Sequence, residues 1–74
     1  MTLKVYYNKC RRVQDMLFGK RSVFLDYGDG WVSLSIFSAD GSTSHPFTGY
    51  QSLGKDFNKD KWQEVEDYLN SEGL

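Results

Sequence analysis

At 74 residues, with a single cysteine, 16% aromatic side chains and a net charge of −1, the chain is too short for two cores. It has no internal disulfide and carries no overall charge bias toward polyanions or polycations. It reads as one domain over residues 1–74 whose aromatics, each able to bury roughly 150–250 Å², replace a covalent staple.

Residues 2–8 alternate, with Leu3, Val5 and Tyr7 against Lys4, Tyr6 and Asn8, which is the period of a half-buried strand. Over 9–18 the spacing of Cys10, Val13, Met16 and Leu17 favours a short helix, capped by Asn8 and ended by Gly19, over a strand turning at Phe18-Gly19-Lys20. Alternation returns at 22–27, where Val23, Leu25 and Tyr27 oppose Phe24 and Asp26. It returns again at 31–38, where Val32, Leu34 and Ile36 oppose Trp31, Ser33, Ser35 and Phe37. Between these runs Gly28-Asp29-Gly30 supplies the glycines of a tight hairpin loop. Residues 39–56 hold the turn cluster Ala39-Asp40-Gly41-Ser42-Thr43 and then Pro46, which predicts an irregular loop with at most a short edge strand at 47–51.

The last segment reads as an amphipathic helix. Asn58 stands at its cap, Phe57 before the cap packs on Trp62, and Gly73 is the stop. Trp62, Val65 and Leu69 form the buried stripe with Tyr68 at its edge, while Asp60, Glu64 and Asp67 line the opposite face behind Asp56. The expected fold is α+β: a small antiparallel sheet of three or four strands, a C-terminal amphipathic helix packed on one face, and the short helix at 9–18.

Charge is unevenly distributed. Six of the nine basic residues, Lys4, Lys9, Arg11, Arg12, Lys20 and Arg21, lie in the first 21 positions beside Asp15 alone, and the other nine acidic residues follow them. Opposed blocks of this kind steer encounters in solution. No apolar run reaches the ~18 residues of a membrane-spanning helix, nothing at the N-terminus resembles a signal peptide, and the lone thiol fits a reducing compartment. A cytoplasmic protein with no membrane partner is expected.

Chemistry is poorly provided for. Residues 49–56 satisfy the glycine, four residues, glycine-lysine pattern of a phosphate loop. However, they place Asp56 where a hydroxyl should hold magnesium, and the chain has no room for the parallel α/β context. A glycine-containing loop entering the last helix accounts for them. His45 has no nucleophile specified beside it, Cys10 reads as a small hydrophobe, and Asp26, Asp29 and Asp40 are turn residues without EF-hand spacing. The expectation is no enzymatic activity, no cofactor and no metal site.

Two binding readings remain. In the first, the chain is a non-enzymatic inhibitor or adaptor of a larger protein or complex. Arg11, Arg12, Trp31 and Tyr50 are its anchors, and Asp60, Glu64 and Asp67 form a row that docks on a basic patch. In size and in lacking catalytic signatures the chain resembles small phage or mobile-element accessory proteins that block a host machine, a resemblance of class carried by no motif.

The alternative is a single-stranded nucleic-acid binder. If Leu3, Val5, Val23, Leu25, Val32, Leu34 and Ile36 face the core, then Lys4, Tyr6, Phe24, Trp31 and Phe37 share the opposite sheet face. Bases would stack there while Lys9, Arg11, Arg12, Lys20 and Arg21 track phosphates. Against it stand a pI of about 5.6 and the expectation that residues 9–18 and 39–56 cover the outer aromatics. The sequence leaves open whether an exposed sheet edge mediates self-association.

Overall fold

The structure, a computed structural model, describes residues 1–51 and 56–74. Its elements run α1 (Leu3–Met16), β1 (Val23–Gly28), β2 (Trp31–Phe37), β3 (Ser44–Tyr50) and α2 (Lys59–Ser71). This is an α+β fold with a three-stranded antiparallel sheet in the order β1-β2-β3.

Residues 2–8 are not a strand. Tyr6, Cys10, Val13 and Leu17 recur at helical spacing, and burying all four against one sheet face requires a helix that is continuous from Leu3. Thr2 caps it, its Oγ1 accepting from the Val5 N–H at 3.2 Å. Asn8 is therefore an exposed interior position and not a cap, and the helix expected over 9–18 is the second half of α1.

The β1–β2 hairpin has the expected register, from Val23↔Ile36 to Gly28↔Trp31. Gly30 takes the left-handed conformation that its loop demands, with φ 81°. β3 is longer and earlier than expected and pairs with β2 along its whole length, from Phe37↔Ser44 to Trp31↔Tyr50. Pro46 does not interrupt it. Bonds from Ser38 N–H to Thr43 O and from Gln51 N–H to Gly30 O direct His45, Phe47 and Gly49 toward β2, so Pro46 faces the free edge where its missing N–H costs nothing.

Both helices pack on one face of the sheet. Val32, Leu34 and Ile36 of β2 and Phe47 of β3 meet Tyr6, Cys10, Val13 and Leu17 from α1 and Val65 and Leu69 from α2 in one cluster. Each large aliphatic side chain so buried contributes roughly 1.5–3 kcal/mol. Among the described residues no helix is long and apolar enough to cross a membrane.

Asn58 does not cap α2 with its side chain. Its backbone is left-handed (φ 67°) and its amide turns to the edge of β3. Oδ1 accepts from the Tyr50 N–H at 3.0 Å and Nδ2 donates to the Tyr50 carbonyl at 3.2 Å, as a neighbouring strand would. Nearby, the buried Tyr6 hydroxyl donates to the Phe47 carbonyl at 3.0 Å, and its ring meets Trp62 edge-on, centroids 6.3 Å apart. α1, β3 and α2 are joined at this point. At the far end, α2 stops where Gly73 turns left-handed (φ 71°).

Burial pushes the Cys10 thiol up to about 12 from its ordinary 9.0, against a smaller lowering by its hydrogen bond with Tyr6. Burial likewise raises the Tyr6 phenol. Both groups are neutral when protonated and titrate earlier in the unfolded chain, so their contribution to stability is complete below pH ~9 and is lost as pH rises toward ~12. Denaturant midpoints should fall between pH ~8 and ~10.5, and Cys10→Ala should flatten that decline.

Candidate functional site

The alternation that buries Val32, Leu34 and Ile36 turns the rest of β2 to the opposite face, and the register fixes its neighbours there. Gly28, Trp31 and Tyr50 form one cross-strand row. Asp26, Ser33 and Thr48 form the next, then Phe24, Ser35 and Pro46, and finally Phe37 with Ser44. Aromatics thus stand at both ends, with small hydroxyl side chains between them. The Ser33 and Thr48 hydroxyls bond each other at 3.1 Å. The Trp31 indole rests against Gly28, where a Cβ would come within 2.5 Å of Nε1. Phe24 is 60% exposed and Tyr50 59% exposed, with Trp31 and Phe37 half-buried.

Among the described residues the expected cover is not found: Cys10, Val13 and Leu17 seal the inner face of the sheet, and no described element lies over the outer one. Beside the Tyr50 end, between β3 and the start of α2, a shallow groove of about 450 Å³ is lined by Pro46, Thr48, Tyr50, Asp56, Phe57, Asn58, Asp60 and Lys61.

The residues expected to bind a protein partner fall into three places. Trp31 and Tyr50 are brought together as a directly paired couple on the outer sheet face, and Asp60 joins Tyr50 in the groove. Asp60, Glu64 and Asp67 do share the exposed face of α2. There, Glu64 is held by the Lys61 ammonium at 2.7 Å and Asp67 accepts from Gln63 at 3.0 Å. Arg11 and Arg12 are exposed on α1, on the other side of the sheet from Trp31 and about 100° apart around the helix axis.

The surface expected for nucleic acid does not assemble. Tyr6 is fully buried in the core. Lys4 is exposed on α1, where it lines a shallow pocket with Tyr7, Tyr27 and Trp31 and joins no row of the sheet. Lys9 sets its ammonium over the Trp62 ring, 5.1 Å from the centroid, while Trp62 Nε1 donates to Glu66 at 2.7 Å. Arg21 donates to the Phe37 carbonyl and pairs with Glu72 at 3.4 Å. Lys20 is exposed in the turn after α1. Parts of the basic and acidic blocks of the sequence therefore lie side by side, joined at Lys9–Trp62–Glu66 and at Arg21–Glu72.

The remaining reactive groups are engaged. The buried Cys10 thiol, its proton held well above neutrality, is a packing group. The His45 ring lies against Tyr68, centroids 4.7 Å apart. Hydrogen bonds from Ser38 and Ser42 hold the exposed Asp40 carboxyl below the usual carboxylate range within its turn. Among the described residues, no three His, Cys, Asp or Glu side chains converge to hold a metal ion. Residues 52–55 of the phosphate-loop-like match lie outside the described residues.

Sequence reasoning placed Phe24 and Phe37 on the right face but under a cover. It also assigned nothing to Phe18, which is 89% exposed in the turn after α1. No family model matches this chain, and no curated protein and no solved structure matches it at a significant level.

Proposed function

We propose that this chain is a non-catalytic binding module that docks on a larger protein through the outer face of its sheet, acting as inhibitor or adaptor. The observation that carries the reading is a sheet face on which Phe24 and Tyr50 keep more than half their surface in water beside Trp31 and Phe37. Aromatic anchors of this kind dominate binding energy when a partner desolvates them.

The small hydroxyl side chains of Ser33, Ser35 and Thr48 between the two aromatic ends leave room for a protruding apolar side chain of the partner. Asp26 is the one charged residue in the rows of this face. That favours a protein surface over a polyanion, whose phosphates would find no cation within the rows themselves. The acidic row of α2, reaching the Tyr50 end through Asp60, steers partners whose contact surface has a basic rim.

The test is stoichiometric capture from nuclease-treated lysate with three versions of the tagged chain. Wild type and Arg11→Ala/Arg12→Ala should retain the same partner. Ser35→Lys/Tyr50→Ser, which sets a long charged side chain among the small hydroxyls and removes one anchor, should weaken capture about thirtyfold, the ~2 kcal/mol of a hot spot. Capture that survives the sheet variant would sink the reading. So would oligonucleotide binding with a steep salt dependence that disappears in Arg11→Ala/Arg12→Ala.

A further inference from the structure

The sheet has two edges, and they are finished differently. On β3 the outward-facing backbone groups include those of Pro46, which has no N–H, and of Tyr50, whose N–H and carbonyl are both held by Asn58. On β1 the Ser22 carbonyl accepts from the Phe37 N–H at 2.9 Å. That bond sets Phe24, Asp26 and Gly28 to bond with β2 and leaves Val23, Leu25 and Tyr27 facing outward. The Tyr27 N–H is taken by Asp26 Oδ1 at 2.9 Å. Among the described residues, Val23 and Leu25 thus present a row of donors and acceptors with no partner, and such a row is completed by another extended backbone.

We propose that a second copy of this chain completes it, β1 pairing antiparallel with β1 about a two-fold axis at Phe24. Charge selects the self-pairing. The exposed Lys20 precedes β1 while Asp26 and Asp29 stand toward its far end, so antiparallel copies bring each Lys20 beside the other's anionic end. The free backbone groups select the register. Centring on Phe24 pairs Val23 of each copy with Leu25 of the other and uses only open groups. Centring on Leu25 needs the Tyr27 N–H that Asp26 already holds, and centring on Asp26 opposes two carboxylates. In the chosen register the two Phe24 rings meet at a non-hydrogen-bonded pair, where Cβ atoms lie about 4.5–5.5 Å apart. The two Phe24 rings then flank each other on the same side, and the result is a six-stranded sheet with a continuous outer face.

Light scattering over a concentration series up to millimolar tests this. The mass should climb from 8.6 kDa toward twice that value, and Phe24→Lys, which puts like charges on the axis, should raise the dissociation constant about tenfold. Under mild oxidation Phe24→Cys should cross-link two chains. Tyr27→Cys should not, although position 27 is exposed, because it lies about six residues from its own copy in this register. A monomeric mass throughout, a dimer indifferent to Phe24→Lys, or equal cross-linking at both positions overturns the proposal; the cysteine pair decides if Phe24→Lys fails to fold. Capture of a partner by a chain that stays monomeric would leave the outer-face reading standing and remove this one.

Discussion

Tyr6→Ala is expected to remove about half of the protein's folding free energy. Truncating a fully buried aromatic costs about 3–5 kcal/mol, and a 74-residue domain has roughly 4–11 kcal/mol in total. Tyr6 is also where three elements are joined: its ring lies between α1 and Trp62, and its hydroxyl reaches the Phe47 carbonyl. No other side chain from α1 makes a hydrogen bond to the sheet among the described residues. Tyr6→Phe keeps the ring and loses only that bond, about 1 kcal/mol. Urea titrations of the two variants followed by circular dichroism check the contrast, which fails if both cost the same.

Gly49→Ala should cost about 1–3 kcal/mol, a large effect for one methyl group. A Cβ at position 49 would lie 2.8 Å from Asn58 Oδ1 and 2.9 Å from the Tyr6 ring. Neither neighbour is free to yield, because Asn58 is bonded twice to Tyr50 and Tyr6 is locked in the core. The strand position itself is unstrained, so this is a requirement of space and not of backbone conformation. In an Asn58→Ala background, where half of the obstruction is gone, the penalty of Gly49→Ala should shrink by at least ~0.5 kcal/mol. Thermal or chemical denaturation of the four chains measures that coupling, and strict additivity would refute the contact.

These two residues also show where the sequence was legible and where it was not. The β1–β2 hairpin was read correctly because alternation and a glycine-flanked loop point the same way, and α2 because its stripe repeats over about two turns. Residues 2–8 misled because seven positions satisfy a period of two as easily as a helical one. The continuity of Tyr6 with Cys10, Val13 and Leu17 across the expected boundary was the better signal, and Thr2 was the overlooked cap.

β3 was underestimated because Pro46 and Gly49 lower local strand preference. Both are accommodated by tertiary circumstance, an open edge for one and an approaching Tyr6 ring for the other. Asn58 looked like a cap because its residue type commonly serves as one; its use as a substitute strand depends on where β3 ends, which no local pattern contains. Trp31 and Tyr50 were singled out for separate reasons, and only the register makes them neighbours. The grouping of Arg11 and Arg12 with them failed once α1 was placed on the inner face.

The two indoles occupy unlike surroundings. Trp62 sits in the seam between the helices, between a lysine ammonium and a glutamate, whereas Trp31 rests on the backbone of a hairpin at the water-facing side of the sheet. The molecule consequently carries a pair of built-in fluorophores with separate vantage points, one sensing whether the helices remain seated and the other sensing arrivals at the opposite surface, so that docking and unfolding are optically distinguishable without any attached dye.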